Sequence, residues 1–221
     1  MRVTAATALI AAAAALGGCS PSTETASTRI VGPPPIWTGN LERETETLHQ
    51  YITGAEIVEV PIRPGDPTAP TIAFPLPSGW GSAAGRTPEW AYAAIIDTAA
   101  VDRDDPPFVY VIAARLTGAA NPARLLDFAP GQLNGLPDFI PSYPPQRSKI
   151  GGWDALSYAG TYLRDGLSRA VTQQTIVIPS QDAVFVIQLN GQAAQREQQA
   201  LADTAALIAA QTTVTVAPES S

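Results

Sequence analysis

The amino-acid sequence predicts an α+β fold in which helices from both ends of the chain pack on one face of an antiparallel β-sheet. Segments 152–164, 170–178 and 183–190 are extended and are separated only by turn residues, the pattern of hairpin-linked strands. Apolar residues at helical spacing occur near both ends of the chain and not between these strands. Strands and helices that are segregated in this way predict an α+β fold.

The helices are predicted from the spacing of apolar residues and from one cap. A first helix is expected over 42–53, and a long amphipathic helix over 193–210 with Leu201, Ala205 and Ile208 on one face. A short helix should begin at Asn121-Pro122, because Asn is a good N-cap and Pro suits the first helical position. The residues at helical spacing that predict the first helix are Leu41, Thr45, Leu48 and Ile52.

The first half of the chain contains four more extended segments. Segments 90–100 and 108–116 are joined by an acidic turn and predict a hairpin with a longer loop. The other two strands are expected at 56–62 and 71–76, followed by a turn at 77–80. A Pro-rich loop at 137–145 separates the two halves.

The N-terminus has the features of a bacterial lipoprotein signal. Met1 and Arg2 provide a short positive start, 3–16 is almost entirely apolar, and Leu16-Gly17-Gly18-Cys19 follows. The apolar stretch is shorter than the roughly 20 residues that span a bilayer core. The Leu-Gly-Gly-Cys run resembles the lipobox, whose Cys is acylated. We therefore expect cleavage after residue 18 and a lipid on Cys19, which is the sole cysteine of the chain.

The domain organisation follows from this signal and from composition. Residues 1–18 are the expected signal peptide, 19–40 a lipidated Cys with a Ser/Thr/Pro-rich disordered tether, 41–213 one folded domain, and 214–221 a flexible tail. The expected location is the extracytoplasmic face of the cell membrane, with the membrane as a partner through the lipid anchor. An ordinary signal peptide followed by a chance Cys is the alternative.

Charge and residue counts exclude several classes of function. The formal net charge of −7, without a basic cluster, argues against a nucleic-acid partner. One His and one Cys are too few for a zinc site. His49 is the only candidate base for a catalytic triad, and no Gly-x-Ser-x-Gly elbow accompanies it. Asp102, Asp104 and Asp105 form either an acidic solvated turn or a calcium loop. We predict no enzyme activity and no cofactor.

Aromatic residues on the strands are the best candidates for ligand binding. Leu156, Tyr158 and Tyr162 should share one side of their strand, with Trp153, Ala155 and Ala159 on the other. A Tyr-bearing sheet face could hold a sugar headgroup, and a gap lined by Ala and Gly between sheet and helix could hold an acyl chain. The alternative is that the aromatic rings fill the core. The candidate binding residues are Trp80, Tyr110, Trp153, Tyr158 and Tyr162, and their polar neighbours are Gln173, Gln174, Gln188 and Asn190.

Short motifs over residues 42–212 give the chain a family resemblance. Thr-Leu-His-Gln-Tyr stands at 47–51, Arg-Pro-Gly-Asp-Pro at 63–67, and Pro-Ser-Gly-Trp at 77–80, in this order after the lipobox. The chain resembles the LpqN family of mycobacterial and related lipoproteins. The resemblance implies a Mog1/PsbP-like α+β sandwich without a catalytic centre. It also implies trehalose-type glycolipids and envelope transport proteins as partners.

Two functions of different classes remain open at this stage. The first is a tethered module that binds an envelope glycolipid or lipid and presents it for biogenesis or transport. The second is a protein-interaction adaptor that uses the 137–145 loop and an exposed sheet face. A continuous apolar cavity favours the first function, whereas a solid core with an exposed apolar patch favours the second. A hydrolase would require His49 within hydrogen-bond reach of a Ser and an Asp.

Overall fold

The computed structural model describes residues 46–100, 102 and 104–216. The predicted anchor at Cys19, the signal peptide, the tether, the start of the predicted first helix and the end of the predicted tail lie outside these residues. Within the described part of the chain, no helix is both long and apolar enough to cross a membrane.

The described residues form strands β1 to β11 and helices α1 to α4. The strands are β1 (Val58–Pro61), β2 (Thr71–Ala73), β3 (Trp80–Ser82), β4 (Ala93–Asp97), β5 (Phe108–Thr117), β6 (Ile140–Pro141), β7 (Gln146–Ile150), β8 (Trp153–Arg164), β9 (Leu167–Pro179), β10 (Val184–Ala194) and β11 (Thr213–Thr215). The helices are α1 (Leu48–Gly54), α2 (Pro122–Phe128), α3 (Gly131–Asn134) and α4 (Gln198–Gln211).

One large antiparallel sheet dominates the domain. Its strands follow the order β3-β4-β5-β10-β9-β8-β6, with β1 also paired to β5 and β7 also paired to β8. The long central strands β8, β9 and β10 are consecutive hairpins, as the sequence predicts. The predicted hairpin of β4 and β5 is also present. A separate pair, β11 with β2, holds the C-terminal end of the described chain.

Helices cover both faces of this sheet, so the prediction that only one face is covered is wrong. Helices α1, α2 and α3 pack on one face, called here the three-helix face, and α4 packs on the other, called the α4 face. The reason lies in β9 and β10, where nearly every residue is buried instead of every second one. Strands buried on both sides require a layer on each side.

The three-helix face has a conventional apolar core. Leu48 and Ile52 of α1 and Leu125 of α2 pack with the even-numbered side chains of β8, among them Tyr158. Thr47 caps α1 in a capping box with Gln50, so α1 begins at Leu48 and not at 42 as predicted. Asn121 caps α2 as predicted, since its side chain accepts a hydrogen bond from the Arg124 N–H.

The long C-terminal helix begins later than predicted. Ala193 and Ala194 continue the ladder of β10 with β9, and a short 3-10 turn at Gln195–Glu197 follows before α4. Its buried stripe is Leu201, Thr204 and Ile208, whereas Ala205 is only half-buried. Strands β3, β6, β7 and β11 were not predicted, because they are short or are exposed edge segments without a clear alternation.

Gly160 lets the edge strand β6 approach β8, and we expect Gly160→Ala to weaken this contact. A Cβ at this position would overlap the Ile140 carbonyl oxygen and the Phe139 ring. The free energy of unfolding in urea should fall by about 1–3 kcal/mol, the usual cost of overpacking. Gly85→Ala is the matched control, since a Cβ there meets nothing within 4 Å. Equal stability of the two variants would contradict this packing account.

Candidate ligand-binding site

An open cleft of ≈ 930 Å³ lies on the α4 face, between α4 and strands β7, β8 and β9. Its volume is in the range of ligand-binding clefts in other proteins. The floor is formed by β8 and β9, one wall by α4, and the opposite edge by β7 and the residues before it. The expected gap between sheet and helix is therefore present in the structure.

The cleft exists because α4 docks along one stripe and has small residues on the flank beside that stripe. Leu201 and Ile208 are buried against the core of the α4 face. The neighbouring flank of α4, which lines the cleft, consists of alanines. The floor is equally small, with Ala159 on β8 and Ala170 on β9. Short side chains on both walls leave space that larger residues would fill. The α4 alanines are Ala202, Ala205, Ala206, Ala209 and Ala210.

One end of the cleft has a polar rim near the start of α4. Gln198 donates a hydrogen bond from its Nε2 to the Ser142 Oγ at 3.1 Å, which joins α4 to the Pro-rich loop. Tyr143 and Gln199 line the same end. A tyrosine hydroxyl is protonated at neutral pH and partial burial raises the pKa of Tyr143 further, so this hydroxyl can donate a hydrogen bond.

The two cations that line the cleft each have an acidic partner. Lys149 Nζ lies 2.8 Å from an Asp154 carboxylate oxygen, and Arg196 lies 3.6 Å from an Asp102 carboxylate oxygen. Amides, hydroxyls and backbone supply most of the remaining polar lining. The rim therefore suits an uncharged, hydrogen-bonding group better than a strong anion.

Gln174 links the floor of the cleft to its wall. Its Nε2 donates a hydrogen bond to the Ala205 carbonyl oxygen at 3.0 Å, and both residues line the cleft. Ala205 lies near the middle of α4. Although it borders an open space, the Gln174 side chain is buried. The amide thus ties β9 to α4 about halfway along the helix, at the side of the cleft.

The structure does not gather the five aromatic candidates at this cleft. The Tyr158 and Tyr162 side chains lie in the core of the three-helix face. Tyr110 packs in a third cluster, with its ring 5.3 Å from that of Trp90 in an edge arrangement, and burial raises its pKa. Trp80 and Trp153 are half-buried at the edge of the core on the α4 face.

Tyr158 alone among the five belongs to the residues around the cleft, and its ring points away from it. The Tyr158 hydroxyl donates a hydrogen bond to the Asn134 Oδ1 at 2.9 Å, and the ring packs edge-on against Phe139. Side chains alternate along a strand, so the ring and the cleft lie on opposite sides of β8. The alanines and Gly160 that line the cleft agree with the expectation of a gap lined by small residues between sheet and helix.

The predicted polar neighbours are divided between the two faces, because Gln173 and Gln174 are adjacent on one strand. Gln174 lines the cleft, whereas Gln173 forms a buried amide network under α3. Gln173 Nε2 donates hydrogen bonds to Gln132 Oε1 at 2.6 Å and to Asn190 Oδ1 at 3.1 Å. Gln188 Nε2 donates to Thr175 Oγ1 at 3.3 Å. The bond to Gln132 ties the sheet to α3, the other two join β9 to β10, and none of these side chains is on an exposed face.

The other candidate chemical groups are placed away from the cleft or engaged elsewhere. His49 is on α1, on the opposite side of the sheet from the cleft, with its Nε2 3.5 Å from Thr53 Oγ1. Asp102 Oδ1 accepts hydrogen bonds from the backbone N–H groups of Asp104 and Asp105, and Asp105 forms a paired contact with Arg169. Across the described residues, no group of three metal-ligating side chains is found.

Comparison with known proteins decides the family. The sequence profile described as "Probable lipoprotein LpqN" matches residues 44–215. The chain belongs to the LpqN family. A relative, lipoprotein LpqN of Mycobacterium tuberculosis (strain ATCC 25618 / H37Rv), is 42% identical over 171 residues, which cover 76% of this chain and 74% of the relative. The resemblance inferred from the short motifs is confirmed.

A solved structure agrees with the fold of this LpqN-family domain. It is described as LpqN involved in cell envelope biogenesis of Mycobacterium tuberculosis, and it matches with a TM-score of 0.72 at 41% identity. The match covers 77% of this chain and 98% of the solved chain. The predicted α+β class, with an antiparallel sheet and helices from both ends of the chain, is therefore confirmed.

We expect Gln173→Leu to destabilise the domain, because Gln132 Oε1 and Asn190 Oδ1 would lose their donor in a buried site. The cost should be about 1–3 kcal/mol in the free energy of unfolding. Gln146→Leu, on the exposed strand β7, is the control and should change stability by less than about 0.5 kcal/mol. If Gln173→Leu were as stable as the unsubstituted protein, the amide network would not contribute to stability.

Proposed function

We propose that the protein is a membrane-anchored extracytoplasmic lipoprotein that binds an envelope glycolipid or lipid in the cleft beside α4 and acts in envelope biogenesis or transport. The observation that carries this proposal is the alanine-lined cleft, which has apolar walls along its length and a polar rim at one end. Membership of the LpqN family supports it, because a related structure is described as involved in cell envelope biogenesis.

The apolar part of the ligand would lie along α4. The Ala202, Ala205 and Ala209 side chains face it from the wall, and Ala159 and Ala170 from the floor. Each methylene group that leaves water for such a site contributes about 0.8 kcal/mol. An alkyl chain therefore gains binding free energy from its length, without any specific polar contact.

The polar part of the ligand would lie at the rim. Ser142, Tyr143 and Gln198 offer hydroxyl and amide groups there, and the nearby cations are already matched by carboxylates. Sugar hydroxyls can both donate and accept hydrogen bonds, so a trehalose-type headgroup fits these groups. An anionic headgroup would compete with Asp154 and Asp102 for the same cations.

The anchor and the domain would have separate roles. Acylation of Cys19 would hold the protein on the outer face of the cell membrane, and the tether would keep the acidic domain clear of it. With a net charge of −7, the chain is not attracted to anionic headgroups. Ligand would thus enter a domain that is near the membrane without lying on it, from which an envelope transport protein could receive it. No chemical step is proposed.

The adaptor function remains the second candidate because of one surface. Ile140, on the Pro-rich loop, is 67% exposed, although it lies in the β6 edge strand. An exposed apolar side chain on a sheet edge is a plausible contact for another envelope protein. Ile140→Asp should abolish such an interaction without affecting lipid binding, which separates this function from the first.

The proposed function predicts a co-purifying lipid. The full chain with Cys19→Ser, exported without acylation in its own host, should carry an envelope glycolipid or lipid in native mass spectrometry. Ala202→Trp should weaken the affinity for this lipid about fifteenfold, the loss expected when an indole displaces about two methylene groups from the cleft, and so lower the fraction of protein that carries it. Lipid extraction identifies the ligand.

Ala200→Trp is the matched control for this experiment. Ala200 is an exposed residue of the same helix and does not line the cleft. The fraction of Ala200→Trp protein that carries lipid should equal that of the protein without either Trp substitution. An apo mass for all variants, with no binding of added envelope lipid or trehalose ester, would contradict the lipid function and favour the adaptor.

A further inference from the structure

We propose that Arg115 binds the carboxylate of a small hydroxylated ligand, such as a sugar acid, in a second cleft near the end of β5. This open cleft has a volume of ≈ 340 Å³ and shares no lining residue with the cleft beside α4. Binding here therefore does not depend on the lipid function proposed above. Arg115 lines the second cleft together with residues 67–70, 180–183, Phe185 and Val216.

The alternation of side chains along β5 places Arg115 on the α4 face of the sheet. Val111 and Ala113 pack in the core of this face, so Arg115, two residues further along the strand, points to the same side. Its neighbours across the sheet are Phe185 of β10 and Val60 of β1. The Arg115 side chain is half-buried and borders the open space.

Arg115 is a cation that the described part of the protein leaves unpaired. The described lysine and most of the described arginines each have a hydrogen bond, an ion pair or a ring contact. Arg115 forms neither a hydrogen bond nor an ion pair with any described residue, and its Nε is buried without a hydrogen-bond partner. Because an unsatisfied buried donor on a charged group costs free energy, an acceptor supplied by a ligand would be stabilising.

The acidic residues near the cleft limit the charge of this ligand. Asp66 accepts hydrogen bonds from the Thr68 N–H at 2.9 Å and from the Thr68 hydroxyl at 2.7 Å. These bonds lower the pKa of Asp66, and the charge of Arg115 adds a smaller effect in the same direction. Asp182 lines the cleft without forming an ion pair with Arg115. Two nearby carboxylates repel a doubly charged ligand more than a singly charged one.

The rest of the lining suits hydroxyl groups. A guanidinium group binds a carboxylate through two parallel hydrogen bonds. The Thr68 and Ser180 hydroxyls, the Gln181 amide and the Asp182 carboxylate can form hydrogen bonds with ligand hydroxyls around it. The volume is near the lower end of the range for ligand clefts, which suits a molecule of monosaccharide size. The cleft should therefore prefer a hydroxylated monoanion to a neutral sugar or a dianion.

The test compares three ligands that share one sugar ring: glucuronate, glucose and glucose 6-phosphate. Each is titrated at low ionic strength onto the full chain with Cys19→Ser, and backbone amide shifts are followed by NMR. Glucuronate should bind about tenfold or more tightly than glucose, the usual gain from hydrogen bonds to a charged group, and more tightly than glucose 6-phosphate. Equal binding of glucuronate and glucose, or tightest binding of the phosphate, would overturn the proposal.

Three variants assign the effect to Arg115. Arg115→Gln should weaken glucuronate binding to the level of glucose without lowering Tm, because no ion pair is lost. Arg115→Lys keeps the charge without the paired geometry, so it should bind severalfold less tightly than the unsubstituted chain, even if the Gln variant folds poorly. Arg164→Gln is the matched control and should bind glucuronate normally. It changes the net charge equally but lies at the opposite end of β9 from the 180–183 turn.

The outcomes separate a binding site from a charge effect, a structural role and the lipid function. Equal weakening by Arg115→Gln and Arg164→Gln would show an effect of net charge alone, and a lower Tm with unchanged glucuronate binding would show a structural role. Either result sinks the proposal. Ala202→Trp should leave glucuronate binding unchanged, since Ala202 lines only the other cleft. Failure of glucuronate to bind thus leaves the lipid function standing, and absence of a bound lipid leaves this site standing.

Discussion

The docking of α4 on the sheet through Leu201, Thr204 and Ile208 is the contact on which the rest of the account depends. This narrow stripe fixes the helix over β9 and β10 and leaves its alanine flank standing above small residues of β8 and β9. A broader apolar stripe would close the gap, and a bulkier floor would lift the helix. The cleft is thus a consequence of where large and small residues fall on one helix.

The sheet separates stability from binding. Its three-helix face carries the Tyr158 and Tyr162 rings and the buried amide network, in which Gln173 joins β9 to β10 and to α3. Its α4 face combines an apolar core at one side with the open cleft at the other. Because neighbouring strand residues point to opposite faces, substitutions at Gln173 and Gln174 should affect different properties of the same molecule.

Local patterns in the sequence predicted the central hairpins, the Asn121 cap and the α+β class, because these depend on neighbouring residues. Alternation of apolar and polar residues could not predict that both faces of the sheet are covered, because β9 and β10 are buried on both sides. The site was predicted only in outline. We expected large aromatic residues to contact a ligand, but the Tyr110 and Tyr162 side chains are buried and pack in the core. Alanines mark a cleft only once their spatial partners are known.

The most direct test of the central claim is to locate a bound alkyl chain on the protein. An alkyl maltoside carrying a terminal diazirine is photolysed with the full chain bearing Cys19→Ser, and the adducts are mapped by tandem mass spectrometry. The account predicts adducts on the alanine flank of α4 and on the facing residues of β8 and β9. Adducts concentrated on α1, α2 or α3, with none on α4, would contradict it.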